Sequence, residues 1–218
     1  MSKSSSDTSA TTVEVWADIV CSWCYVGKRH LETALQTFPA GSVELRWRSF
    51  ELDPAIAADA GSADEELARR RGLTPAEART MHEETERMGA EIGIRFDFAR
   101  ARRGNTFDAH RVLQMAQAEG VQIGMMDRLL AAYFSEGEAI GDRGVLARVA
   151  GGAGLDPVAV EAMLTSDAYA DDVRADEREA ASLGISAVPF FVIDRRFGLA
   201  GAHPPETLRE AIEQARAA

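Results

Sequence analysis

The chain is poor in cysteine, poor in positive charge and without long apolar runs. No stretch approaches the roughly 20 apolar residues that cross a bilayer. The opening Met1-Ser-Lys-Ser-Ser-Ser-Asp-Thr-Ser-Ala-Thr-Thr12 has none of the apolar h-region of a secretory signal. A membrane-spanning helix is thereby excluded, residues 1–12 are expected to be a disordered tail, and a cytoplasmic protein is expected. Basic side chains number 24 against 35 acidic ones, for a formal net charge of −11. Nucleic acid and anionic membranes would be repelled by such a chain. Internal repeats are absent, and no low-complexity segment follows the tail. Metal ligands are sparse too: structural zinc needs four, and His30, His82, His110 and His203 are scattered with no second cysteine pair. No metal site is expected.

What is present is a mixed-charge chain of 218 residues with 46% apolar content, long enough for one large domain or a domain with an insertion. Its two cysteines lie in Cys21-Ser22-Trp23-Cys24. A β-like run, Val13 to Trp16, precedes them, and Leu31, Leu35 and Phe38 follow at helical spacing. Cys21 is therefore expected where a strand hands over to a helix N-terminus. Unpaired N–H groups and the positive dipole end there favour an anion, and a thiolate is the nucleophilic form of cysteine. Cys24, one turn along on the same face, can reach the Cys21 sulfur. Cys21 is read as the attacking thiol and Cys24 as the resolving one. A purely structural disulfide fits poorly, because so short a loop restrains the unfolded chain little. A pair of ordinary buried thiols is the remaining alternative.

Taken in order, residues 43–50 alternate apolar and charged, predicting a half-buried strand parallel to the first. From about 63 to 183 the pattern is helical throughout. Start signals stand at Thr74-Pro75-Ala76-Glu77, Asn105-Thr-Phe-Asp108, Asp142 and Asp156-Pro157. Ser186 to Asp194 reads as an apolar strand, Phe197 to Gly201 as its hairpin partner, and Thr207 onward as a closing amphipathic helix. Arg69-Arg-Arg71 and Arg100-Ala-Arg-Arg103 read as solvated faces on an acidic chain. Met81, Met88, Met115, Met125 and Met126 read as core filling.

With the helical stretch set aside, a compact sheet flanked by helices remains. Four segments, Asp18-Ile-Val-Cys-Ser-Trp-Cys-Tyr-Val-Gly27, Asn105-Thr-Phe-Asp-Ala-His-Arg111, Val188-Pro-Phe-Phe-Val192 and Gly201-Ala-His-Pro-Pro205, resemble the DsbA-like group of the thioredoxin superfamily. Within that group they are most similar to the FrnE branch. The resemblance implies an α/β, thioredoxin-like fold with a large all-helical insertion between the second and third strands. The thioredoxin-like part would be residues 13–62 and 184–218. The insertion would be 63–183, its last helix packing back on the sheet. It further implies a cis Val188–Pro189 bond beside Cys21, and a loop before that proline that pairs with an extended peptide or glutathione. The insertion would cover the cysteine end and shape a groove.

The implied activity is thiol–disulfide exchange, as an oxidoreductase or isomerase. Cys21 and Cys24 would be catalytic; Trp23, Val188, Pro189 and His110 would contact substrate. No tightly bound cofactor is implied beyond the redox-active disulfide, with glutathione the candidate co-substrate. Asp18 is either a pKa-tuning acid/base group or an ordinary loop carboxylate, and His110 either lines the groove or is a satisfied core histidine. A rival on the same fold is a glutathione-dependent isomerase or transferase, resembling 2-hydroxychromene-2-carboxylate isomerase or the kappa-class transferases, with FrnE-like proteins sometimes associated with polyketide biosynthesis. Cys24, superfluous to that chemistry, favours redox cycling. A sensor module switched by its disulfide is the third reading. Oligomeric state is not encoded legibly.

Overall fold

The structure is a computed structural model, and it describes residues 10–217. The expected tail falls mainly on residues 1–9, outside the described residues. Strand β1 runs Thr11–Ala17 and β2 runs Val43–Ser49, paired in parallel with Thr11 opposite Val43. Thr11 and Thr12 thus belong to the sheet rather than the tail, and the amide of Thr12 also donates to Asp194 Oδ1 at 2.7 Å. Helix α1, Ser22–Leu35, bridges the two strands.

The chain then builds α2 (Ala63–Arg71), α3 (Pro75–Glu91), α4 (Phe107–Ala118) and α5 (Gln122–Ala131). A π-helical turn, Ala132–Glu136, extends α5; α6 (Arg143–Gly151), α7 (Pro157–Leu164) and α8 (Ala170–Ser182) follow. Capping chemistry sets several of these starts. Thr74 with Glu77, and Ser62 with Glu65, form reciprocal capping boxes, and Asp142 and Asp156 accept from Val145 and Val158 amides. Asn105 Oδ1 accepts from the Phe107 amide at 2.9 Å, so it turns the chain into α4.

The sheet is completed by β3, Phe190–Ile193, antiparallel to β1, and β4, Phe197–Ala200, antiparallel to β3; the order is β2-β1-β3-β4. Residues 186–189 lie outside β3, which shortens the strand expected from Ser186, since Pro189 has no N–H for a ladder. Helix α9, Pro205–Ala217, closes the fold against α1.

Alternation along β1 sorts the core. Val13, Val15 and Ala17 join the large core with Leu31, Leu208 and Ile212 of α1 and α9, whereas Trp16 faces the other way onto Ala180 and Ile185. Helix α8 therefore packs on the second sheet face, and the Trp16 indole N–H donates to the Asp176 carbonyl at 3.0 Å. The free edge of β2 is closed by side chains from the helical region. Gln122 takes both backbone groups of Trp47, at 3.0 and 2.9 Å, and Asp176 Oδ2 accepts from the Ser49 amide at 2.9 Å. An edge strand otherwise offers such groups to other chains. On α1, Tyr25 stacks edge-on against Phe96, and buried Lys28 pairs with Asp127 of α5.

Candidate active site

Cys21 is the N-cap of α1. Its amide donates to the Asp18 carbonyl at 3.1 Å, and the Cys24 amide returns to the Cys21 carbonyl at 3.0 Å, so the cysteine pair spans the first turn. Both thiols are free. Cys21 is 8% exposed and reaches a cleft, whereas Cys24, at 1%, is sealed beneath it. That difference in access separates their chemistry. The Cys24 thiol donates to Cys21 and pulls the Cys21 pKa below the ordinary thiol range. Burial opposes this, while the amides of Cys24 and Trp23 add to it, and the Asp18 charge works against it. Cys24 is pushed well up, by burial first and then by the Cys21 thiolate and Asp18. The thiolate form is therefore favoured at Cys21 and disfavoured at Cys24.

The Val188–Pro189 bond is cis. Cys21 Sγ lies 3.7 Å from the Val188 carbonyl, so this loop stands beside Cys21, as the resemblance implied. Gly27 permits that approach: a Cβ there would meet Pro189 Cγ at 3.0 Å and Phe191 Cζ at 3.2 Å. The Pro189 carbonyl is tied down by the Gly201 amide at 2.8 Å, and the His203 carbonyl is 2.8 Å from His30 Nδ1 of α1. The Gly201–Pro205 motif thus anchors the proline loop to the helix that carries the cysteines.

A cavity of about 510 Å³ opens on the other side of Cys21. Trp23, 52% exposed, stands at its wall with Met81 and His82 of α3. Tyr133, from the π-helical turn, lines it too, and burial raises its pKa to about 12. His82 stacks on Phe98 at 4.0 Å and takes Asp64 at Nδ1, 2.5 Å away. Met81 is therefore a cleft residue and not core filling, while Met125 and Met126 are buried as expected.

His110 does not contact this cleft. It is fully buried, with Nε2 3.2 Å from the Phe50 carbonyl and 3.6 Å from Asp18, as in the core-histidine alternative. Its motif neighbours are equally structural: Arg111 caps the end of α7 and the turn after it through the carbonyls of Met163, Ser166 and Ala168. Asp18 is buried and ionised below the cysteine pair. Burial raises its pKa, but His110, the Leu52 amide at 2.8 Å and the Arg103 charge outweigh it and hold the carboxyl below its usual range.

The arginine runs divide. Arg69 pairs with Glu66 and Arg102 with Asp59, as solvated faces do. Arg70, Arg71 and Arg103 instead line the Cys21 cleft, which corrects the reading of both runs. Among the described residues, no group of three histidine, cysteine, aspartate or glutamate side chains is placed to hold a metal ion. No helix there is long and apolar enough to cross a membrane.

Comparison with known proteins places the fold. A curated relative, the uncharacterised YwbO of Bacillus subtilis, is 26% identical over 183 residues, covering 83% of this chain and 86% of its own. The crystal structure of a probable DsbA oxidoreductase of Streptomyces coelicolor superposes with a TM-score of 0.89 at 40% identity, covering 95% of this chain and 90% of that one. The fold is shared at lower identity by 2-hydroxychromene-2-carboxylate isomerase (TM-score 0.72, 17% identity, 93% and 95% covered). It is shared too by the cytosolic disulfide reductase DsbM of Pseudomonas aeruginosa (0.63, 19%, 95% and 100%). The family model of the DSBA-like thioredoxin domain matches residues 12–213, and the chain belongs to that family.

Proposed function

We propose that the protein is a thiol–disulfide oxidoreductase of FrnE type, with Cys21 as nucleophile and Cys24 as resolving thiol. The observation that carries this reading is the inequality of the two sulfurs. Cys21 is open to the cleft with a lowered pKa, and Cys24 lies buried within hydrogen-bonding reach with a raised one. The Cys21 thiolate attacks one sulfur of a substrate disulfide, forming a mixed disulfide and expelling the other half as a thiolate, which takes up a proton. Cys24 then loses its proton and attacks Cys21 Sγ. The second substrate thiolate leaves. Two electrons pass from the cysteine pair to the substrate, and two thiols of a reductant such as glutathione restore the pair. The same steps run backwards oxidise a dithiol, the direction being set by relative reduction potentials.

The Val188 carbonyl and Pro189, beside Cys21, receive the backbone of an extended substrate in the manner of strand addition. Trp23 covers the entry. A cytoplasmic setting suits the reading, since disulfides there are transient and catalytic. Equilibration in glutathione buffers of graded poise, then acid quench, alkylation and mass spectrometry, tests it. A clean passage between dithiol and Cys21–Cys24 disulfide is expected. Failure to form that disulfide at any poise contradicts the dithiol mechanism and turns attention to glutathione-dependent isomerisation.

A further inference from the structure

The cleft wall facing Cys21 carries cations on a chain whose net charge is −11. Arg103 is 6% exposed, lines the cavity, and leaves its Nη1 atom buried without a hydrogen-bond partner. Among the described residues no carboxylate stands within ion-pair distance of its guanidinium. Its backbone is fixed, since the amide donates to the Gly61 carbonyl at 2.9 Å and the carbonyl accepts from the Ala60 amide at 2.8 Å. A buried guanidinium with an idle donor is costly unless something else satisfies it. Arg70 and Arg71 line the same cavity from the end of α2, are exposed, and form no ion pair among the described residues. The one carboxylate in the wall, Glu66, is already engaged by Arg69 through two hydrogen bonds, at 2.9 and 2.6 Å.

We propose that Arg103, backed by Arg70 and Arg71, is a carboxylate-receiving subsite, and that the partner of Cys21 is a small thiol or disulfide carrying a carboxylate a few bonds from its sulfur. This rests on the thiol-exchange reading and specifies its substrate class. A guanidinium with an idle N–H donor, its neighbour being the Tyr133 side chain, matches a carboxylate in charge and hydrogen bonding. The cavity, at about 510 Å³, accommodates a small molecule alongside Cys21. Binding there places the substrate sulfur at Cys21 while its anionic end is neutralised by the arginines that line the same cavity. Exchange proceeds as above, the substrate disulfide being the oxidant and the cysteine pair the reductant.

The test mixes reduced protein with dithiodipropionate, an anionic disulfide, or with hydroxyethyl disulfide, a neutral one. Formation of the Cys21–Cys24 disulfide is timed by acid quench and mass spectrometry. Each rate is divided by that of the same disulfide with free dithiothreitol. The anionic disulfide is expected to be favoured about tenfold, the scale of one charge-assisted hydrogen bond. Arg103→Met should bring the ratio towards one, and Arg103→Lys should keep part of it. An absent preference in the wild type, or an unchanged one in Arg103→Met, overturns the proposal. If that buried substitution prevents folding, as read by circular dichroism, the exposed pair Arg70→Gln/Arg71→Gln decides: a reduced ratio supports the subsite and an unchanged one overturns it. Should neither disulfide oxidise the pair, the dithiol reading fails by itself. Calorimetry with thiodipropionate, a thioether that cannot exchange, then judges the subsite alone. Binding that Arg103→Met abolishes supports it; equal or absent binding overturns it.

Discussion

Two chemically identical thiols are made unequal by where α1 begins. Cys21, at the N-cap, gathers the Cys24 thiol and the first-turn amides, and Cys24, one turn later, is sealed beneath it. Iodoacetamide should therefore alkylate Cys21 with a pH midpoint below that of a free thiol, and should leave Cys24 untouched until the protein unfolds. Peptide mass spectrometry across pH distinguishes the two sites, and a midpoint at or above the free-thiol value would count against the electrostatics described. Asp18 bears on both sulfurs through its negative charge, which raises their pKa values. Asp18→Asn keeps an oxygen for the Leu52 amide but removes the charge, so the Cys21 midpoint should fall further. Gly27 serves the site by its lack of a side chain. Gly27→Ala would force the Pro189 loop outward, with an expected loss of about 1–3 kcal/mol in urea unfolding, the usual range for overpacking, and slower disulfide exchange.

At the scale of elements, the helical region is wired to the sheet by side chains as well as by apolar packing. Gln122, at the head of α5, completes the outer hydrogen bonds of Trp47 as a further strand would. Gln122→Ala leaves two buried backbone groups of β2 unpaired and should cost about 2–4 kcal/mol, at 1–3 kcal/mol for each unsatisfied group with partial relief by water. A change below half a kcal/mol in urea melts would mean that water replaces the amide fully. The elements themselves were readable because their signals are local: alternation in β2 and the β-like run of β1, and caps at Thr74, Asp142 and Asp156. The cleft was not readable. Helical periodicity does not tell which of Arg69, Arg70 and Arg71 turns towards Cys21, nor that Arg103, outside any helix, is carried inward by its pairing with Gly61. His110 sits within a motif that pointed to the site, yet it is buried against the Phe50 carbonyl and Asp18 and does not line the cleft. The π-helical turn that carries Tyr133 to the cavity follows an unbroken apolar face, Leu129, Leu130, Tyr133 and Phe134, and has no signature in that pattern.

Across the whole molecule, Glu14 joins two strands and a turn: it is buried on β1 and pairs with Arg48 of β2 and with Arg195 of the β3–β4 turn. Burial raises its pKa, but the two guanidinium groups outweigh that and hold it below the usual glutamate range. A depressed folded pKa contributes stability above the unfolded value, about 4.3 for glutamate, and that contribution is lost as pH falls through the folded value. Urea midpoints should therefore drop as the solution is acidified below about pH 4. Glu14→Gln should be less stable at neutral pH and should show a flatter decline in the acid window. An unchanged acid profile in that variant would assign the decline to other carboxylates, Asp18 foremost. The arrangement as a whole places the proposed nucleophile, Cys21, between the proline loop and a cleft lined by arginines, with Cys24 beneath it as the proposed resolving thiol. Trapping of the mixed disulfide tests that claim most directly. Cys24→Ser and Cys21→Ser, each treated with oxidised glutathione, are quenched in acid and mapped by mass spectrometry. The account predicts a stable glutathione adduct on Cys21 in Cys24→Ser and little or none on Cys24 in Cys21→Ser. Adducts formed equally on both sulfurs, or on Cys24 alone, would contradict it.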